Sequence, residues 1–377
     1  MHFEPYPFEK LNQLLADIVP NPDREPLNLT IGEPQFPTPQ FILDAVQEHA
    51  SLFNKYPKTA GAPFLREGML QYMRQRFGVA LDDAQMIPTF GTREVLFNFP
   101  QFLLDEIDNP VMAFPNPFYQ IYEGAARVSG ATVLYMHLTA ENDFQPELNT
   151  EMLSRCDLVV LNSPDNPTAS VLPYVAMIRW VRWALEYDFV LLNDECYADL
   201  YLGEPIPSLL NASIAAGNPD FRNVLIVNSI SKRSSAPGLR SGFIAGDADI
   251  LARYMTYRTY VGCAAPLPLQ HAAAVAWADQ EHVAHFRDAY RRNIALAQDI
   301  LGVEPPDATF YIWMKMPDTL ASVRALYREE HLKVLPGAFL GRQGAGEDYV
   351  RLALVYPEAP MRDALERLKR FINKETP

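Results

Sequence analysis

The feature that most constrains this chain is a series of short apolar runs beginning near residue 84, most of them closed by Pro, Asn, Asp, Ser or Gly and followed by a longer amphipathic stretch. Val111–Phe114, Thr132–His137, Leu158–Leu161, Phe189–Leu192, Val224–Val227 and Gly242–Ala245 have the length and composition of buried strands. Tyr174–Tyr187 and Arg93–Ile107 read as helices, with Pro100 expected to kink the second. This alternation predicts βαβ units around a largely parallel sheet, so the fold class is α/β. In such sheets ligands collect just beyond the strand ends.

The two ends of the chain break the pattern. The first 45 or so residues are rich in Pro and read as an irregular arm. After about residue 285 come a long charged helix, a β-like stretch Thr309–Met316, a helix near Ser322–Glu330 and a strand Tyr349–Val355, a small α+β block. A chain of 377 residues exceeds what one core supports. Two firmly packed units are expected: a large domain over 46–285, and a smaller one joining 1–45 to 286–377.

Charge and cysteine content exclude several classes. The formal net charge of −14, with no basic block, disfavours nucleic acid as a partner. Single arginines inside motifs therefore carry more meaning than overall charge. The start, MHFEPYPFEK, lacks the basic stretch and apolar run of a secretory signal, and no long apolar segment predicts a membrane span. Cys156, Cys196 and Cys263 show neither metal-type spacing nor a disulfide framework, so no metal and a reducing cytoplasm are expected.

Three segments carry chemistry. In Val227-Asn-Ser-Ile-Ser-Lys232-Arg-Ser-Ser-Ala-Pro-Gly-Leu-Arg240 a lysine follows an apolar strand among hydroxyls. Desolvation there would favour the neutral amine that forms an imine with an aldehyde. Ser229, Ser231 and Arg240 could hold a phosphate beside it. Alone, the segment is equally compatible with a surface loop bearing an ordinary lysine. Phe189-Val-Leu-Leu-Asn-Asp194-Glu-Cys-Tyr197 ends a strand with an acid and a phenol, suited to a pyridine nitrogen and a ring oxygen; Asp194 could equally cap the next segment. Leu158-Val-Val-Leu-Asn-Ser-Pro-Asp-Asn166-Pro-Thr168 is again a strand and then a turn.

Together these residues resemble the fold-type I, class I/II aminotransferases of the aspartate aminotransferase superfamily, over nearly the whole chain. The resemblance lies in the order of an Asn-Pro-Thr turn, an Asp-x-x-Tyr strand end, a Ser-x-Ser-Lys segment and Arg240. It implies pyridoxal 5'-phosphate as cofactor, bound to Lys232, on a seven-stranded-type sheet. Asn166 and Tyr197 would then meet its phenolic oxygen, Asp194 its ring nitrogen, and Ser229, Ser231 and Arg240 its phosphate. Gly91-Thr92-Arg93 opens a predicted helix suited to the same phosphate. Tyr119, in Asn116-Pro-Phe-Tyr119, resembles the aromatic that stacks on the ring. Tyr56 resembles a tyrosine that reaches the neighbouring subunit's phosphate, which implies a homodimer with shared sites.

Gly32, in Thr30-Ile-Gly32-Glu-Pro, resembles the stretch that closes over substrate, and Arg351 the arginine that grips its α-carboxylate. Lys232, Asp194 and Tyr197 are thus the expected catalytic residues, with Gly32, Asn166 and Arg351 at the substrate. Asn193-Asp-Glu-Cys-Tyr, Ser231-Lys-Arg-Ser-Ser and Tyr257-Arg-Thr-Tyr-Val-Gly-Cys-Ala are similar to the N-succinyldiaminopimelate aminotransferases of lysine biosynthesis. Ala169 departs from the Gly that usually follows Asn-Pro-Thr, and Val261 from that subgroup's frequent His. Other aminotransferase specificities, and a carbon–sulfur β-lyase on the same scaffold, are the alternatives.

Overall fold

The structure is a computed structural model that describes residues 3–375. Its strands in chain order are β1 (Leu27–Asn28), β2 (Met86–Thr89), β3 (Val111–Asn116), β4 (Thr132–His137), β5 (Leu158–Asn162), β6 (Val190–Asp194), β7 (Val224–Ser229), β8 (Gly242–Gly246), β9 (Tyr311–Lys315), β10 (Leu332–Lys333), β11 (Leu335–Pro336) and β12 (Tyr349–Ala353). Seven of them form one sheet in the order β2-β8-β7-β6-β5-β3-β4. β8 pairs antiparallel with both neighbours and the other pairings are parallel.

The apolar runs are continuous because both faces of this sheet are covered. Leu158 and Val160 pack into the core on one face, while Val159 and Leu161 pack into the core on the other. All six expected strands form, most of them a residue or two longer than the apolar run. The helix Tyr174–Tyr187 has the expected bounds. The helix expected at Arg93–Ile107 spans Thr92–Leu104 and continues through Pro100.

A second core joins the two chain ends. Leu11, Leu15, Leu27 and Leu29 pack with residues from the helix Glu281–Leu301, β9 to β12 and the helix Glu358–Glu375. The N-terminal segment is therefore less irregular than its proline content implies. Pro7 starts a helix, Pro7–Leu15, where proline's fixed φ and missing N–H cost nothing. β1 then pairs parallel with β10, so the segment is tied to the C-terminal block by backbone hydrogen bonds. No described helix is long and apolar enough to cross a membrane.

Candidate active site

The parallel strands end along one edge of the large sheet. The turn after β3 delivers Tyr119, that after β5 Asn166, that after β6 Asp194 to Tyr197, and that after β7 Ser229 to Lys232. Arg240 comes just before β8, but β8 runs the opposite way, so its start lies at the same edge. Here a cavity of about 520 Å³ opens between the sheet edge and the second core. Of the residues singled out from sequence, all but Gly91 and Tyr56 line it.

On one side of the cavity stand two cations. Lys232 Nζ donates to the Gly32 carbonyl oxygen. Burial pulls the amine's proton affinity down, against the smaller opposing effects of Tyr311 and Cys196. Arg351, 4% exposed, donates from Nη1 to Asn166 Oδ1 and from Nη2 to the Thr30 carbonyl, each at 2.5 Å. Its Nε is buried with no partner among the described residues. An arginine held from two sides with a donor still open is prepared for a planar anion.

The end of β6 and the turn after it add an acid and a phenol to the cavity lining. Asp194 accepts hydrogen bonds from Tyr122 Oη at 3.0 Å and from the Cys196 amide at 3.1 Å. Burial raises its pKa, opposed by those same bonds and by the Lys232 charge. Tyr197 Oη lies 2.9 Å from Tyr311 Oη, and burial pushes the Tyr197 phenol well above its ordinary range. The phenol is therefore a proton donor across the neutral range.

The other side holds hydroxyls and two arginines. Thr92 Oγ1 and Cys196 Sγ are 3.1 Å apart, and Ser229 Oγ is 3.6 Å from the same sulfur. Arg240 donates to the Pro237 carbonyl at 2.9 Å and the Phe90 carbonyl at 3.4 Å, with no carboxylate partner among the described residues. Burial lowers its pKa, and the nearby Arg93 charge adds to this. Arg93 Nε donates to Tyr119 Oη at 2.8 Å. Gly91 sits at φ 72°, where a Cβ would run into the Arg240 guanidinium, so glycine keeps this corner open. Tyr56 is fully exposed and outside the cavity of its own chain.

Four contributors escape the sequence reading. Tyr122 follows Tyr119 at i+3, a spacing that could have flagged it. Cys196 lies inside the Asp-x-x-Tyr motif. Tyr311 sits in a buried strand, where an aromatic looks like core, and Thr30 contributes only backbone. Ala169 takes φ 64°, the left-handed conformation that glycine adopts without strain. The turn geometry is thus retained without its usual residue.

Fold and cavity together define a pyridoxal-phosphate enzyme of fold type I. The family model for class I and II aminotransferases matches residues 24–368, and the chain belongs to that family; it is a pyridoxal 5'-phosphate-dependent aminotransferase. The crystal structure of aminotransferase AspB from Helicobacter pylori is similar at 47% identity with a TM-score of 0.96, covering 98% of this chain and 99% of that one. The 4-dedimethylamino-4-oxo-anhydrotetracycline transaminase OxyQ of Streptomyces rimosus is 33% identical over 91% of this chain and 92% of its own. An LL-diaminopimelate aminotransferase of Moorella thermoacetica is 30% identical over 98% and 96%.

The cavity fits the cofactor's chemistry on this structure's own terms. Arg240 and the hydroxyls of Thr92, Ser229 and Ser231 form an anion-binding end in which no carboxylate among the described residues is bonded to the guanidinium. Asp194, buried without a cationic side chain bonded to it, suits a protonated ring nitrogen.

Proposed function

We propose that this aminotransferase moves the amino group of glutamate to N-succinyl-2-amino-6-oxopimelate, on the route to diaminopimelate and lysine. Lys232 and Arg351 lining one cavity is the observation that carries the reading: an amine of lowered proton affinity beside a fork for an α-carboxylate. The acceptor rests on the three segments similar to succinyldiaminopimelate aminotransferases. It is further supported by the full-length similarity to enzymes named for LL-diaminopimelate.

When bound, pyridoxal phosphate supplies the electron sink that lets an amino acid release its Cα proton. The chain's own residues do the rest. Lys232 Nζ binds the cofactor, then takes up and returns the migrating proton. Asp194 would keep a proton on the ring nitrogen, Tyr197 and Asn166 would donate to the ring oxygen, and Tyr119 would cover the ring face. Ser229, Ser231, Arg240 and the Gly91-Thr92-Arg93 helix start hold the phosphate. Arg351, with Asn166 and the Gly32 segment, would hold the substrate's α-carboxylate and so orient its Cα–H bond for proton removal by Lys232.

In this reading 46–285 is the cofactor domain, and 1–45 with 286–377 is the smaller domain that brings Gly32 and Arg351. The protein works as a homodimer, Tyr56 of the partner subunit completing the phosphate site. The fully exposed Tyr56 ring, with Phe53 at 60% and Tyr260 at 90% exposure, supports such an interface.

Glutamate alone should release one equivalent of 2-oxoglutarate per site. The succinylated oxo acid should then complete the cycle with kcat/KM at least about tenfold above oxaloacetate or pyruvate. Equal rates for all acceptors would remove the proposed acceptor and leave the transaminase standing.

A further inference from the structure

Among the described residues, Tyr311 is the one tyrosine that touches both the phenol and the arginine assigned above. It stands on β9 and shares one buried cluster with Tyr197 and Phe310. The register sets Tyr311 opposite Ala353 and Trp313 opposite Arg351, which makes Tyr311 and Arg351 diagonal neighbours on one face. The Arg351 guanidinium lies 4.4 Å from the centre of the Tyr311 ring. The far end of that ring reaches Tyr197, with 2.9 Å between the two hydroxyl oxygens. Tyr311 is 2% exposed and packs so tightly on Gly32 that a Cβ at residue 32 would overlap its hydroxyl.

From this arrangement we propose that Tyr311 is a positioning residue with two separable parts. In this proposal its hydroxyl is the donor and Tyr197 Oη the acceptor; Tyr197 Oη is the one hydrogen-bond partner it has among the described residues. The Tyr197 proton is thereby left to point into the cavity, and a hydroxyl that accepts one hydrogen bond is a better donor in the next. Its ring is the floor over which the Arg351 guanidinium sits, a cation–ring contact that holds the fork in place for a carboxylate. Hydroxyl and ring thus serve different ends of the reaction centre: the proton balance at the cofactor oxygen and the grip on the substrate carboxylate. Gly32 belongs to the same device, because only a residue without a side chain lets the hydroxyl reach Tyr197.

The inference rests on the roles given above to Tyr197 and Arg351, and the variants are chosen to separate the two. In Tyr311→Phe the ring stays and the hydroxyl goes. A weaker donor at Tyr197 leaves more negative charge on the cofactor oxygen, which holds the proton beside it more firmly. The pH midpoint of the resting enzyme's cofactor absorbance should rise by about 0.5–1 unit. Binding of succinate, a non-reacting dicarboxylate, should stay within about twofold, since the cation–ring contact is intact. In Tyr311→Leu the midpoint should rise equally and succinate binding should weaken about tenfold. Tyr197→Phe should raise the midpoint too, and adding Tyr311→Phe to it should change nothing more. Thermal melting identifies a variant that has merely unfolded, and Tyr311→Phe retains the core contacts whatever Tyr311→Leu does. If Tyr197→Phe moves the midpoint and Tyr311→Phe does not, the inference falls and the role of Tyr197 stands. If neither moves it, both fall. Equal losses of succinate binding in Tyr311→Phe and Tyr311→Leu with an unmoved midpoint would reduce Tyr311 to packing.

Discussion

Lys232 and Arg233 follow one another on the short helix Ile230–Arg233 and carry the same charge, yet their surroundings are opposite. Arg233 is 1% exposed and spends its donors on Asp199 at 2.6 Å, the Ala276 carbonyl at 2.8 Å and Gln280 Oε1 at 3.0 Å. Asp199 also takes Arg76 at 2.8 Å and the Tyr72 hydroxyl at 3.0 Å. Burial would raise the Asp199 pKa, but Arg233 and Arg76 overcome this and hold it below the ordinary value. Lys232 next door has one backbone carbonyl and the cavity. A compensated charge is fixed in place and inert; an undercompensated one has proton affinity and geometry left to use. The neighbours also cooperate, since the Arg233 network anchors the helix that aims Lys232.

Substitutions can break this contrast. Lys232→Ala should lower turnover by about 10³-fold or more in steady-state assays, with no loss of thermal stability, because the amine it removes was poorly solvated. Arg233→Met should do the reverse. It strands Asp199 beside a single cation and should cost about 3–5 kcal/mol in denaturant unfolding, with the folded fraction still turning over. An Arg233→Met enzyme of normal stability but no activity would erase the distinction. Arg351→Gln should lower kcat/KM for glutamate by roughly 10–100-fold, mostly through KM, as loss of a charge-assisted contact predicts.

The acids sharpen the same contrast with a smaller effect. Asp165 and Glu195 are buried like Asp199 but without a bonded cation; burial pushes each up to about 7 from 3.8 and 4.5. Each keeps one oxygen without a partner among the described residues. A carboxyl that binds its proton more tightly when folded stabilises the fold at low pH. That contribution declines as pH rises from about 4 to 7 and is gone above. Unfolding free energies at intervals across that range should show the decline, and Asp165→Asn should flatten part of it. An unchanged slope would mean that the Asp165 carboxyl is not held protonated.

The large sheet was legible because each run of apolar residues feeds two cores at once and is short and closed by turn residues, which together mark a buried strand. β2 was not, because Pro88 stands inside it. The structure puts it at the sheet edge, where a missing N–H is tolerated. The direction of β8 was equally hidden, since an apolar pentapeptide reads alike both ways, and direction is what brings Arg240 to the site. Lys232, Asp194 and Asn166 were legible because each lies at or just beyond a strand end; Tyr311 was not, because a buried aromatic looks the same whether or not its hydroxyl has work. The Pro-rich start hid a helix whose leucines are paired with residues far along the chain.

That last pairing has a consequence in time. Thr30 receives its hydrogen bond from Arg351, 321 residues further on, and β1 finds its partner only at β10. At a synthesis rate of about 5–20 residues per second, the first segment made waits on the order of 15–60 s before its partners exist. The large sheet can close meanwhile, because its last strand in the chain, β8, ends at Gly246. The carboxylate grip and the cover over Lys232 are therefore finished last, so a ribosome-bound chain that has already folded its sheet is still without a working site.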